Sequence, residues 1–319
     1  MVGNKAALVA SAGRRPKGGV SNPGFSMRGR QHTLASSISL EGVGLHTGLP
    51  IRCSLHPAPV GSGRVFVRVD QAGSPEIPAR LGSLAPAHLC TLLQQGSPPV
   101  QVQTVEHLLA ALYVLGVDNC RIEVEGPELP ILDGSALPFV EAIAQAGIQA
   151  QDQPALLGVL QEPVTVWAGE AFVSALPHPT ARFTYGIDFA DCPIGEQWLS
   201  WRENGPDFVQ SIAPARTFAR QQDVELARER GLIQGGSLEN AIVCSQTEWL
   251  GPLRYPDEPV RHKLIDLLGD LSLLGCRLQG HVVAYKAGHA LHHRLAEQLL
   301  KSGSLLIHEE WGGERDPVA

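Results

Sequence analysis

Three separated pieces of this chain, Glu106-His107, His262-x-x-x-Asp266 and His289, have the residue types of one metal-dependent hydrolytic site. His262 and Asp266 lie four apart in a run, Arg261 to Leu268, whose apolar spacing predicts a helix. Both side chains then share a face and can reach one ion. The remote His107, in the helical run Thr104 to Leu112, would complete a set of two histidines and a carboxylate. Such a set leaves one zinc position open for water, as a catalytic rather than a structural site requires. Glu106, beside a ligand but not needed as one, is the natural base for that water.

Taken singly, each motif is better explained by helix-surface charge or a satisfied histidine. Their setting argues further. The ligand candidates interrupt helices whose other positions are strongly apolar, where an unpaired polar group is costly to bury.

The elements that must position these groups begin at Gln31. Residues 32–40 alternate as a strand, 41–48 form a glycine-punctuated turn, and 50–56 and 64–69 read as further strands. A helix over 105–115, a strand over 120–124 and a helix over 138–146 close the first half. Residues 151–154, short, polar and proline-bearing, read as a linker. The second half shows two strands, a helix near 222–230, a strand over 240–244, a helix over 261–274, a strand over 281–286 and a helix over 290–301.

The halves resemble each other. His107 and Asp266 each lie nine residues before the Gly that ends their helix, and each helix is followed by Cys-Arg-aliphatic, at Cys120 and Cys276. Gly134-Ser-Ala-Leu137 likewise matches Gly288-His-Ala-Leu291. Either Leu-rich helices match by chance, or the chain is an ancient duplication of α+β class. In the second case two similar units, 31–150 and 155–305, each a β-sheet covered by two helices, pack face to face with the metal site between them.

Composition narrows the classes. A chain of 319 residues is long enough for two ordinary domains. Its 44% hydrophobic content holds no apolar stretch long enough to span a membrane, which predicts no stable membrane insertion. A net charge of -7 argues against a general nucleic-acid binder. Six scattered cysteines without a C-x-x-C pair suit a reducing compartment, and the expected location is cytoplasmic. Residues 1–30 differ: they are basic, rich in Gly and Ser, and lack acids. They read as an upstream extension with Met27 the true start, as a disordered tail, or as a targeting segment. Residues 306–319 read as a tail, with no second enzyme fused after the last helix.

Gly42-Val-Gly-Leu-His-Thr-Gly48, Thr104-Val-Glu-His-Leu108, Pro130-Ile-Leu-Asp-Gly-Ser135, Ala215-Arg-Thr-Phe218, Arg261-His-Lys263 and Ala287-Gly-His-Ala-Leu291, in that order, resemble the LpxC family. These are UDP-3-O-acyl-N-acetylglucosamine deacetylases of lipid A biosynthesis. The resemblance runs from about Gln31 to about Leu300. It implies a zinc amidase of two facing α+β domains, a monomer acting on an acylated UDP-sugar, with at most transient contact with a membrane surface.

Carried over motif by motif, the resemblance implies that His107, His262 and Asp266 bind Zn2+ and that Glu106 deprotonates the attacking water. It implies that the Thr217 hydroxyl helps hold the oxyanion, and that His289, as imidazolium, stabilises that charge and protonates the departing amine. Asp270 would stand behind His289 and keep it charged, and Lys263 would contact the nucleotide sugar. Without the resemblance, Thr217 reads as a turn residue, Lys263 as a solvated charge and Asp270 as a surface acid paired with Arg277 or Lys263. His289 at a helix start opposes the dipole there, a hint of function. His292 and His293 read as surface residues on other helical faces.

The insert 222–244 resembles the family's passage for an acyl chain, which implies Val224, Leu232, Ile233 and Gly236 as its lining and Phe218 as a substrate contact. Cys90 matches a family cysteine near the metal and reads either as a modulator or as an inert buried thiol. Gln161 stands where the family often has lysine, and Ala219-Arg220-Gln221 is more polar than the family's sequence there. These departures leave two other readings open: a zinc amidase with a different N-acyl substrate, and a non-catalytic metal or nucleotide-sugar binder.

Overall fold

The structure, a computed structural model, describes residues 29–203 and 207–310. Met27 and the basic segment around it therefore lie outside the described residues, as do 311–319 of the expected tail.

Two five-stranded sheets share one topology. In spatial order the first holds Ile38–Val43, Pro50–Pro57, Cys120–Glu125, Arg64–Arg68 and Glu76–Pro78. The second holds Val164–Ala168, Ala171–Leu176, His281–Tyr285, Arg182–Phe189 and Gly195–Arg202. Across each sheet the pairings run antiparallel, antiparallel, parallel, antiparallel. The apolar half of each alternating pattern is buried, as in Pro50–Pro57 with Ile51, Cys53 and Leu55 inside.

Among the described residues there are six α-helices: α1 (Glu106–Val114), α2 (Leu137–Ala146), α3 (Phe208–Ser211), α4 (Gln221–Glu229), α5 (Glu258–Leu271) and α6 (His289–Ser302). All nine residues of α1 and twelve of the fourteen in α5 are buried, because the two helices pack on each other inside the molecule. Gly269 permits the crossing: a Cβ there would run into the backbone carbonyl of Glu106. Gly116 and Gly275, with φ of 72° and 73°, take the left-handed conformation that ends the two helical segments.

Several sequence expectations need correction. Residues 32–40 are not one strand. Arg30–Leu34 and Ile38–Val43 enter different sheets, and the Ala35 N–H and Ser36 hydroxyl between them bond to the carbonyls of Gly147 and Ala146. Residues 151–154 are no linker but part of the thirteen-residue strand Ile148–Leu160. That strand pairs with Arg30–Leu34, Arg277–Gln279 and Leu305–Glu310, so residues 306–310 of the expected tail belong to a sheet. Pro154, without an N–H, fits at the end of the first pairing, where the register shifts. The Cys-Arg-aliphatic match also misleads. Cys120 opens a central strand, whose topological counterpart is His281–Tyr285 and not the strand after Cys276.

Candidate metal centre

The ligand candidates come from the N-terminal turn of α1 and the middle of α5. Thr104, just before α1, holds a φ of 58°, unusual for a β-branched residue. Its hydroxyl donates to Glu128 at 2.8 Å, and this wholly buried carboxylate also accepts from the N–H groups of His46 and Thr47. The Gly42–Gly48 turn and the start of α1 are thereby fixed together. On the α5 side, Glu258 accepts from the Arg216 backbone and guanidinium at 3.0 and 2.9 Å and from the Arg254 N–H. This buried pair ties Ala215-Arg216-Thr217-Phe218 to the first turn of α5.

His107, His262 and Asp266 present one ligand atom each, all within 4.8 Å of one another, and all three are buried. Asp266 Oδ1 lies 3.4 Å from His262 Nε2 and 3.8 Å from His107 Nε2, and the two rings meet edge to face. The remaining atoms of His262 and Asp266 are already committed. His262 Nδ1 donates to the Ala215 carbonyl at 3.0 Å, and Lys263 Nζ donates to Asp266 Oδ2 at 2.7 Å. This leaves His262 Nε2 and Asp266 Oδ1 facing inward, the outer-sphere arrangement that orients metal ligands. Burial, joined by His262, drops His107 to about 3, and burial also lowers His262. Burial opposes ionisation of Asp266, but Lys263 and then His262 hold it below the carboxylate range. Two neutral imidazoles and one carboxylate fit a divalent metal ion.

Glu106 and His289 flank this set, with His289 Nε2 3.8 Å from Glu106 Oε1. Glu106 accepts from the Thr91 N–H at 3.0 Å, and burial pushes its carboxyl up to about 7. Burial would lower His289, but Asp270 at 2.7 Å from Nδ1 outweighs it and raises the ring to about 9. Asp270 is fully buried and held far below the carboxylate range: burial opposes its charge, and His289 and His293 overcome that. It is thus no surface acid paired with Arg277 or Lys263.

His292 and His293 are not surface residues on other faces. His292 is wholly buried and the His293 side chain is 16% exposed. Both meet Asp270, at 2.8 and 3.2 Å. The physical reason is helical spacing: positions three and four after His289 share its face. That spacing was the available signal. Thr91 was missed altogether, although its hydroxyl donates to Asp270 Oδ1 at 2.5 Å; a lone Thr in a loop carries no sequence signature.

The other expected residues have the following surroundings. Thr217 follows the carbonyl that holds His262 by two residues, its N–H on the Gly134 carbonyl at 2.8 Å. Phe218 stacks edge to face on Phe189. Lys263 is bound to Asp266 and lies 5.8 Å over the Tyr185 ring. In the insert, Gly236 lies against Ile233 and Leu45, and Gln234 and Gly235 donate to the His46 and Leu45 carbonyls. Val224 is half-buried on α4, while Leu226 and Leu238 expose more than half their surface. Cys90 is 4% exposed, and burial and Glu106 push its thiol far up, which suits the inert reading. Gln161 bonds only to main chain among the described residues.

The model of the family UDP-3-O-acyl N-acetylglycosamine deacetylase, LpxC, matches residues 31–301. Among curated proteins, the UDP-3-O-acyl-N-acetylglucosamine deacetylase of Synechocystis sp. is 50% identical over 274 residues, covering 84% of this chain and 98% of the relative. That of Thermosynechococcus vestitus is 50% identical over 271 residues, 84% of this chain and 93% of its own. That of Myxococcus xanthus is 45% identical over 276 residues, covering 86% and 87%.

Proposed function

Since the chain belongs to the LpxC family of UDP-3-O-acyl-N-acetylglucosamine deacetylases, we propose that it hydrolyses the N-acetyl group of UDP-3-O-acyl-N-acetylglucosamine. The products are acetate and the free 2-amino sugar nucleotide, the committed step toward lipid A. The observation that carries this reading is a base and an acid, Glu106 and His289, 3.8 Å apart beside one buried ligand triad. Metal holding alone needs neither Glu106 nor His289, which speaks against a binding protein without turnover.

His107 Nε2, His262 Nε2 and Asp266 Oδ1 would hold the ion, read here as zinc from two imidazoles and one carboxylate. When bound, that ion supplies Lewis acidity toward the amide oxygen and the attacking water. Glu106 takes the water's proton; a cation beside it would lower its carboxyl below the value of about 7 that burial, opposed by His289, gives it here. The amide carbonyl carbon gains the new C–O bond. The Thr217 hydroxyl is the donor for the developing oxyanion, its backbone fixed by Gly134 and Ile242. His289, charged through Asp270, faces the same centre with Nε2 and gives its proton to the departing nitrogen as the C–N bond breaks.

Lys263 and Phe218 contact the nucleotide sugar in this reading. Val224, Leu232, Ile233 and Gly236 line the acyl passage, which the exposed Leu226 and Leu238 extend to the surface. The shared topology of the two five-stranded sheets, with α1 packed on α5, supports two related units, 31–150 and 155–305, facing across the site. No helix among the described residues is long and apolar enough to cross a membrane. All six cysteines are free, which supports a reducing, cytoplasmic setting for a monomeric enzyme.

The test is acetate release from UDP-3-O-acyl-N-acetylglucosamine before and after removal and return of zinc. Turnover should return with the metal and be absent from a Glu106→Ala variant that still binds it. Folded, zinc-loaded protein without turnover would overturn the substrate assignment.

A further inference from the structure

Resting on that reading, we propose that His292 and Tyr185 are positioning residues that lock Asp270 onto His289. One carboxylate oxygen, Asp270 Oδ2, receives the Nδ1 of both His289 and His292, at 2.7 and 2.8 Å. The far nitrogen of His292, Nε2, lies 3.0 Å from the Tyr185 hydroxyl, and that hydroxyl donates to the Ala287 carbonyl at 2.7 Å. Ala287 stands two residues before His289, at the entrance of α6. Tyr185 therefore holds both ends of the arrangement: the loop that presents His289, and the ring that braces its carboxylate.

Counting hydrogens sharpens the point. A carboxylate oxygen only accepts, so His292 must carry a proton on Nδ1. Burial outweighs Asp270 and lowers His292 to about 4, so the neutral ring has no hydrogen on Nε2, and the Tyr185 hydrogen is shared between that nitrogen and the Ala287 carbonyl. His292 is wholly buried between them, its ring edge to face with Tyr185 at 5.7 Å. The groups that face His292 are Asp270 and Lys263 from α5, Tyr185 from the sheet, and His289 from its own helix. Those that face His289 are Asp270, Asp266 and His262 from α5, Glu106 and His107 from α1, and Thr91, His292 and His293 around Asp270. Among these, the His292–Tyr185 pair links the carboxylate to the Ala287 carbonyl just before His289.

The test compares three variants with the parent protein. In His292→Asn the amide nitrogen takes the place of Nδ1, which keeps the Asp270 bond and loses Tyr185. In Tyr185→Phe only the hydroxyl goes. In His292→Leu both bonds go with the volume kept. Turnover should fall about ten-fold or more in His292→Leu with KM unchanged, fall less in His292→Asn, and fall to an intermediate degree in Tyr185→Phe. The high-pH limb of the rate should move down in the same order. An NMR titration of the His289 ring, which needs no substrate, should show the same order. Metal content and Tm are measured for each variant.

Equal pH limbs and an unshifted His289 titration in His292→Leu would overturn the proposal, whatever happens to Tm. A parent protein that releases no acetate would overturn the reaction instead, and the His289 titration would still decide the positioning role.

Discussion

Replacing Asp270 by Asn keeps the shape of a fully buried side chain and removes its charge. In the native site His289 is carried from its ordinary 6.5 to about 9, against burial, chiefly by Asp270. At about 1.4 kcal/mol per pH unit this is a preference of roughly 3 kcal/mol for the imidazolium. Without the carboxylate, burial dominates and the ring falls to its ordinary value or below. At pH 8 the charged fraction would then drop from about 90% to about 3%, roughly a thirty-fold loss of the general acid. The assay is a pH profile of acetate release for both proteins at saturating zinc and substrate. The zinc cation lowers the ring in both proteins, so the variant profile should fall on its basic side at least two pH units before the native one. The coupling has a stability signature in protein stripped of metal. A raised histidine contributes stability that is fully present below 6.5 and is lost as pH rises through about 9. The stability gap between native protein and variant should therefore narrow from pH 6 to pH 9.5 in denaturant titrations. A basic limb that stays within half a pH unit of the native one would refute the assignment of Asp270 as the source of His289 charge.

Other perturbations follow from the packing. Gly269→Ala drives a methyl group into the Glu106 carbonyl, so it should cost about 1–3 kcal/mol by urea unfolding and weaken metal binding, because α1 and α5 must separate. Arg216→Met leaves the wholly buried Glu258 without its ion pair and should cost about 3–5 kcal/mol, whereas Arg216→Met with Glu258→Leu should recover much of that loss. His107→Ala should lower zinc content, read by metal analysis after dialysis. Lys263→Met removes the donor on Asp266 Oδ2, so it should weaken metal binding and, at saturating zinc, raise KM; an unchanged KM there would count against its substrate contact.

The parts of the site legible in the sequence were those that depend on local periodicity. His262 and Asp266 share a helical face by spacing alone, and Asp270 follows one turn later. The same rule, applied to α6, would have placed His292 and His293 beside His289 rather than away from it. What periodicity could not supply were contacts between segments far apart in the chain. Thr91 reaches Asp270 across 179 positions and Tyr185 reaches His292 across 107. Neither belongs to a pattern that marks it.

The likeness of the halves was visible in helix ends and glycines, because a left-handed C-terminal residue leaves a Gly in the sequence. Which strands correspond was not visible: short apolar strands look alike, and the match after Cys276 chose the wrong one. The supposed linker at 151–154 failed for a related reason. Its polar residues and proline read as a loop, yet it continues the strand Ile148–Leu160, whose start pairs with Arg30–Leu34 and whose end pairs with two further strands. By itself the sequence determined which residue types could hold a metal and move a proton, since that chemistry belongs to side chains and their spacing on one helix. Only the tertiary structure decided their protonation, because desolvation and charge from distant segments set whether Glu106 is a base and His289 an acid.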